Sequence, residues 1–337
     1  MSSEPHYPLQ DAQRRRLLGA LGAAGVCALA PWERALAQKG AWPERPINYV
    51  VPFPPGGLTD VAARQVGKAL ADAERWNVVV ENKPGGSANI GAAHVSNAAP
   101  DGYTWLAITL SHAANATLFA GKAGYDLTRD LTPIAGLASS PIMVVVNAKS
   151  NIKTMDDLAR AAKAKSLSAG SSGNGTPPHL TLALYQKLTG VPLMHVPYKG
   201  GAPAISDLLG NQVEMSFQNV NAVLPHIKSG KLKAIAVTGS KRSPVLPDVP
   251  TFAEASVPGV DVYAWQAVVA PKNLPADVRD KLSAALTAAL KDPAISKPFT
   301  DIGLEVVANS PEAFTKFQQQ ESARWKQVIE TGGISVQ

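Results

Sequence analysis

Ile47-Asn48-Tyr49-Val50-Val51-Pro52-Phe53-Pro54-Pro55-Gly56-Gly57-Leu58-Thr59-Asp60 is the stretch that decides the fold class. Its apolar run reads as a strand, a proline- and glycine-rich turn follows, and the apolar spacing from Leu58 to Ala73 reads as a helix. The same succession returns at the strand Leu167–Ala169, followed by Gly170-Ser171-Ser172-Gly173-Asn174-Gly175-Thr176-Pro177-Pro178 and a helix to Thr189. Thr176 suits an N-cap there, and Pro177 a first helical position. It returns again at the strand Leu193–Val196, with Pro197-Tyr198-Lys199-Gly200-Gly201-Ala202-Pro203 opening a helix to Leu209. Strands alternating with helices predict an α/β protein with mainly parallel sheets.

Working outward, two sets of βαβ units span roughly 44–140 and 150–255, followed by a long strand at 262–270 and terminal helices at 276–291 and 311–331. A chain that leaves one α/β lobe, builds a second and returns crosses twice, here near Ser139–Val145 and Val260–Trp265. The expected lobes are 38–140 plus 264–337, and 141–263, with a ligand cleft between them and a hinge at the crossings.

The N-terminus is set apart. Arg14-Arg15-Arg16, the uncharged stretch Leu17–Ala30 and the small-x-small site Ala35-Leu36-Ala37 make a secretory signal peptide, cleaved after about Ala37. The apolar stretch is shorter than the roughly 20 residues a spanning helix needs. The 337-residue chain carries 32 Lys and Arg against 26 Asp and Glu. Its one cysteine, Cys27, lies in the segment removed, so no disulfide framework is expected. The expected product is an exported, periplasmic monomer, and no basic stripe suggests nucleic acid.

Each strand–loop–helix junction points backbone N–H groups at the positive end of a helix dipole, which suits a carboxylate or phosphate without a fixed side-chain charge. In α/β sheets these loops sit at the carboxyl ends of strands, where ligands bind. None matches a nucleotide motif, and no histidine pair has metal-ligand spacing, so neither cofactor nor metal is expected. Asp60 reads as the residue that holds the first loop. Ser111 and His112, directly after a strand, are pocket candidates. Trp265, at the second crossing, is expected to close over an apolar part of the ligand. No G-x-S-x-G elbow is present, and no acid–base–nucleophile set stands out, so binding is expected and catalysis is not.

With these residues in view the sequence resembles the Bug-type extracytoplasmic solute receptors of tripartite tricarboxylate transporters. The carriers are Pro52–Asp60, Glu81-Asn82-Lys83-Pro84-Gly85-Gly86, Asn89-Ile90-Gly91, Ala99-Pro100-Asp101-Gly102-Tyr103-Thr104, Pro197–Gly201, Asp207-Leu208-Leu209-Gly210, Leu232–Thr238 and Leu246-Pro247-Asp248-Val249-Pro250-Thr251. The resemblance implies a type II periplasmic-binding-protein fold of two α/β lobes. It implies a ligand carboxylate held by backbone amides and waters, and delivery to membrane permease subunits. Carried onto this chain, the ligand positions are Phe53, Pro54, Gly56, Gly57 and Asp60, with Ser111 and His112 beside them. In the second lobe they are Ser171, Ser172, Gly173, Thr176, Tyr198, Lys199, Gly200, Gln218 and Asn219. A sensor feeding a membrane kinase uses the same closed surface, and a secreted enzyme the same cleft; both stay open as alternatives.

Overall fold

β1 (Ile47–Val51) lies between β2 (Val78–Asn82) and β3 (Thr104–Thr109), all parallel. α1 (Leu58–Glu74) connects β1 to β2, α2 (Asn89–Ser96) connects β2 to β3, and α3 (Leu110–Leu118) leaves β3. These coordinates are a computed structural model that describes residues 42–335; the segment read as a signal peptide lies outside the described residues. The chain divides between Glu44 and Arg45, and the fold is that of the part from Arg45 onward.

The chain then enters β4 (Leu131–Asn147), whose 17 residues belong to two halves of one sheet. Leu131 to Pro141 pair with β9 (Tyr263–Pro271), whereas Ile142 to Val146 pair with β7 (Met215–Asn219). Around the second half run α4 (Met155–Ala164), β5 (Ser168–Ser171), α5 (Pro177–Thr189), β6 (Met194–Pro197) and α6 (Gly201–Leu209). α7 (Val220–Lys228) and β8 (Leu232–Val237) follow β7. β9 returns the chain beside β3 and β4, and α8 (Ala276–Lys291), α9 (Pro293–Asp301), β10 (Glu305–Asn309) and α10 (Pro311–Gly332) complete it. The strand order is β2-β1-β3-β9-β4-β7-β5-β6, with β8 and β10 also on β4.

The sheet is mixed, which corrects the expectation of mainly parallel pairing. β1–β2, β1–β3, β5–β6 and β5–β7 are parallel, but every pair that involves β4 or β9 is antiparallel. The reason is that β4 and β9 carry the chain between the two halves, not through a βαβ unit. β4 bends through register shifts at Pro133/Ala135 and Gly136/Ala138. A bulge tolerates proline and glycine and increases local twist.

The core is continuous through this strand pair. Val50, Leu106 and Ile108 from the first half cluster with Val144, Phe217 and Tyr185 from the second. Trp105 and Trp325 are fully buried and Trp76 nearly so. α10 starts over β4, and its last turn reaches α5, where Lys187 donates to Thr331. Among the described residues no helix is long and apolar enough to cross a membrane.

Candidate functional site

Asp60 organises the first loop. It sits in the first turn of α1 and is 3% exposed. Its carboxylate accepts the Gly56 N–H at 2.9 Å, Asn82 Nδ2 at 2.9 Å, and Arg64 through Nε at 3.1 Å and Nη2 at 2.9 Å. Asn82 Nδ2 also donates to the Phe53 carbonyl at 3.1 Å. Phe53 and Gly56 (φ 79°) are therefore both tied to one carboxylate. Burial alone would raise the Asp60 pKa, but the Arg64, Gly56 and Asn82 donors outweigh it and hold it below the ordinary carboxylate value. Gly57 caps α1 without a side-chain hydrogen bond, so the first-turn amides have no side-chain acceptor.

α3 begins with no intervening turn. Thr109 is both the last residue of β3 and the N-cap, and its Oγ1 accepts the Ser111 N–H. His112 Nδ1 accepts the Thr109 N–H at 3.0 Å, which places the proton of the neutral ring on Nε2. Burial pushes the His112 pKa down to about 4, so the ring is an uncharged donor at neutral pH. The Phe53 ring meets it edge-on at 6.3 Å, which brings the first loop and α3 together. Among the described residues His112 Nε2 and Ser111 Oγ are buried without a partner, and so is Asn115 Oδ1 one turn on. Asn115 Nδ2 donates to the Ser87 carbonyl and to Asn89.

In the second half the junctions are braced against one another. Ser171 Oγ lies 2.7 Å from His195 Nε2 and accepts the Gly173 N–H. The Gly175 N–H donates to His179 Nδ1 at 3.0 Å. His179 and His195 stack at 4.3 Å, and burial pushes both pKa values down to about 4, His179 being further lowered by its neighbour. Thr176 Oγ1 donates to the Gly173 carbonyl. Pro177 and Pro178 occupy the first two positions of α5, so that helix end offers no amide there. The third junction keeps its amides: Gly200 caps α6 without a side-chain bond, and Gly201 and Ala202 follow. Its strand end is pinned by Tyr198 N–H to the Ser171 carbonyl and Gly200 N–H to the Ser172 carbonyl. Ser172 Oγ donates to Gln218 Oε1, and Gln218 Nε2 donates to Ser216. Tyr198 is turned to α6, where its hydroxyl donates to Asp207; burial and that carboxylate push its pKa up to about 12. Lys199 is exposed.

Asn219 repeats the arrangement of Thr109. It ends β7 and caps α7 without a side-chain bond, and among the described residues its Oδ1 and that of Asn221 are buried without a partner. The two halves touch where a Cβ on Gly175 would stand 3.1 Å from Asn115 Oδ1. The structure thus groups Phe53, Gly56 and Asp60 with Ser111 and His112, and groups Ser171 to Thr176 with Tyr198, Gly200 and Gln218. Trp265 joins neither. Its indole N–H donates to Glu321 at 3.0 Å and its ring packs against Phe314 and Phe317 of α10. It lines a separate cavity of about 370 Å³ with Ser139, Tyr263 and Arg324, on the α10 side of the strand crossing. Sequence reasoning gave no site role to Asn82 or Asn115, whereas Asn221 belongs to the loop at 218–221 expected to reach the cleft. The i, i+4 spacing of Ser111 and Asn115 was the available signal for the second of these. Among the described residues no three His, Cys, Asp or Glu side chains group as metal ligands.

Residues 62–334 match the model of the tripartite tricarboxylate transporter family receptor. The chain belongs to that family. Protein BugT of Bordetella pertussis is 36% identical over 86% of this chain and 90% of its own. A solved R. palustris protein with adipate is 34% identical, covers 87% of this chain and 99% of its own, and superposes with a TM-score of 0.83. MatC from Rhodopseudomonas palustris, solved with bound malate, is 32% identical with a TM-score of 0.80, covering 86% and 100%. The receptor therefore has the two-lobed periplasmic-binding-protein fold that the resemblance implied, and β4 and β9 are the strands that join its lobes.

Proposed function

We propose that this receptor captures a small carboxylate between its lobes in the periplasm and presents it to the permease subunits of a tripartite transporter, without transforming it. The observation that carries the reading is the pair of uncharged, buried, unpartnered groups at the start of α3, Ser111 Oγ and His112 Nε2. A carboxylate oxygen accepts from both without a buried cation having to be desolvated. The N-termini of α1, α6 and α7, none capped by a side chain, add favourable dipoles. Related proteins solved with adipate and malate support the ligand class.

In this reading the lobes are 38–140 plus 264–337, and 141–263, and export removes the first 37 residues. Phe53, Ser111, His112, Ser172, Gly200 and Asn219 face the ligand. Asp60, Ser171 and Tyr198 hold the loops, and Trp265 serves the hinge side. Ligand binding shifts the population toward the closed form. Ser171 and His195 have nucleophile–base spacing, the one feature that favours an enzyme. Ser171 is fully buried, however, and its oxygen already accepts the Gly173 amide, so the pair acts as a loop brace. Calorimetry against mono-, di- and tricarboxylates and neutral sugars tests the function. Micromolar binding of an acid with no turnover is expected; binding confined to sugars, or release of a product, overturns it.

A further inference from the structure

The positive charge of this receptor is confined to one part of the chain. Residues 141–263 hold twelve Lys and Arg against seven Asp and Glu, whereas 38–140 with 264–337 hold sixteen of each. The strand registers locate the excess. Asn147 pairs with Leu232, Val146 with Met215, Ala169 with Met215, and Ser168 with Met194, so the end of β4 and the starts of β5, β6, β7 and β8 form one end of the sheet. Lys149 and Lys153 follow β4, Lys163 and Lys165 precede β5, and Lys231 and Lys233 open β8; all six are exposed. The Ala148 N–H donates to the Lys231 carbonyl, which joins two of these segments.

The acids nearby, Asp156, Asp157 and Glu214, offset only part of this charge. Asp157 accepts the Lys153 and Thr154 amides and pairs with Arg160, and Glu214 accepts from Ser168 while reaching Lys165 at 3.5 Å. A shallow open groove of about 500 Å³ runs between Lys163, Lys165, Gln186 and Met194. Met194 is 57% exposed. The candidate ligand positions Ser171, Tyr198 and Asn219 lie at the opposite ends of the same strands.

We infer that this basic pole rests reversibly on an anionic phospholipid surface, with a lipid phosphate between Lys163 and Lys165 and Met194 entering the interface. Lysine, a hydrated point charge on a long stem, suits a diffuse anionic surface. A protein partner would call for aromatic anchors, and among the described residues the one arginine near this face, Arg160, is already paired with Asp157. Because the pole is opposite the candidate site, contact there leaves the cleft free and keeps the receptor near the membrane in which a permease resides. The inference does not depend on which ligand the cleft holds.

The test is co-sedimentation of the receptor purified from the periplasm with vesicles of phosphatidylglycerol and phosphatidylcholine, or of phosphatidylcholine alone. Binding to the anionic vesicles only, abolished by high salt, is expected. The triple variant Lys149→Glu, Lys163→Glu, Lys231→Glu should partition on the order of a hundredfold less. Lys122→Glu, Lys291→Glu, Lys316→Glu, an equal charge change on the other lobe, should partition like the parent. Equal loss in both triples makes the effect one of net charge and overturns the inference. So does binding to neutral vesicles, absence of binding to either kind, or capture by permease subunits in detergent without vesicle binding.

Discussion

Replacing Asp60 by Asn separates a loop-holding carboxylate from one that touches ligand. The side chain keeps its size but loses its charge and one of its two acceptor oxygens. The Gly56 N–H approaches one oxygen and the Asn82 amide the other, so one of these donors must then face an NH₂ group. Each is a charge-assisted bond contributing about 1.5–3 kcal/mol, and the surviving one falls to about 1 kcal/mol. Arg64 is 53% exposed, so its pairing adds at most about 1 kcal/mol. The sum is a loss of about 3 kcal/mol, or about 5 °C in the melting temperature of a chain this size. Arg64→Ala should cost about 1 °C by the same reasoning. Calorimetric melts of both variants, with and without a bound acid, provide the comparison. Asp60→Asn should also weaken acid binding, because Phe53 and Gly56 lose their tether. A carboxylate facing the ligand directly would do the reverse, since removing it relieves like-charge repulsion. Tighter acid binding by Asp60→Asn, or a melt as costly for Arg64→Ala, refutes the assignment.

Other outcomes follow from the same geometry. Ser111→Ala removes one uncharged donor and should raise the dissociation constant for an acid about tenfold or more by calorimetry, with an unchanged melt in its absence. Gly91→Ala would place a Cβ 2.8 Å from Pro52 Cβ and 3.0 Å from the Lys83 carbonyl, so it should lower the melting temperature although alanine favours a helix. Acid should destabilise the receptor through His179 and His195. The unfolded chain takes up protons near pH 6.5, the folded chain only near pH 4, so stability is full above pH 6.5 and drains as pH falls toward 4. Each unit of difference is about 1.4 kcal/mol, so His195→Gln should flatten the decline between pH 7 and 4.5 by about 2–3 kcal/mol in denaturant titrations.

Many helices and short strands were legible where glycine and proline punctuate the chain, although α9 and β10 were missed despite Pro293, Pro298 and Gly303, and α3 and α7 were missed where nothing marks a boundary. α3 and α7 follow β3 and β7 without a loop residue, because Thr109 and Asn219 each end a strand and cap a helix. A search for turn residues between elements finds none there, and these two helices carry the unpartnered Ser111, His112, Asn115, Asn219 and Asn221. β4 failed for the opposite reason. Only its crossing near Ser139–Val145 was expected, because proline and glycine seldom lie inside a strand; here the strand absorbs Pro133 and Gly136 at register shifts. Trp265 stands in β9, and its side chain turns to α10. Its direction is set by Phe314, Phe317 and Glu321 of α10, some fifty residues later, and no local pattern contains that contact.

The division of donors between the lobes carries a consequence for affinity. In the proposed site Ser111 and His112 stand on one lobe and the amides of α6 and α7 on the other, and neither set includes a paired cation. Two bonds to a charged oxygen contribute about 3–6 kcal/mol, which by itself corresponds to dissociation constants from several millimolar down to tens of micromolar. Micromolar binding needs about 8 kcal/mol, and reaching it requires the second lobe's donors as well. An acid held by one lobe is therefore held less tightly than this, and the remaining binding free energy, about 2–5 kcal/mol, appears only on closure. A site built on arginine could bind tightly while still open. One built on neutral donors from both lobes couples occupancy to the closed shape, which is the property a permease needs in order to distinguish a loaded receptor from an empty one.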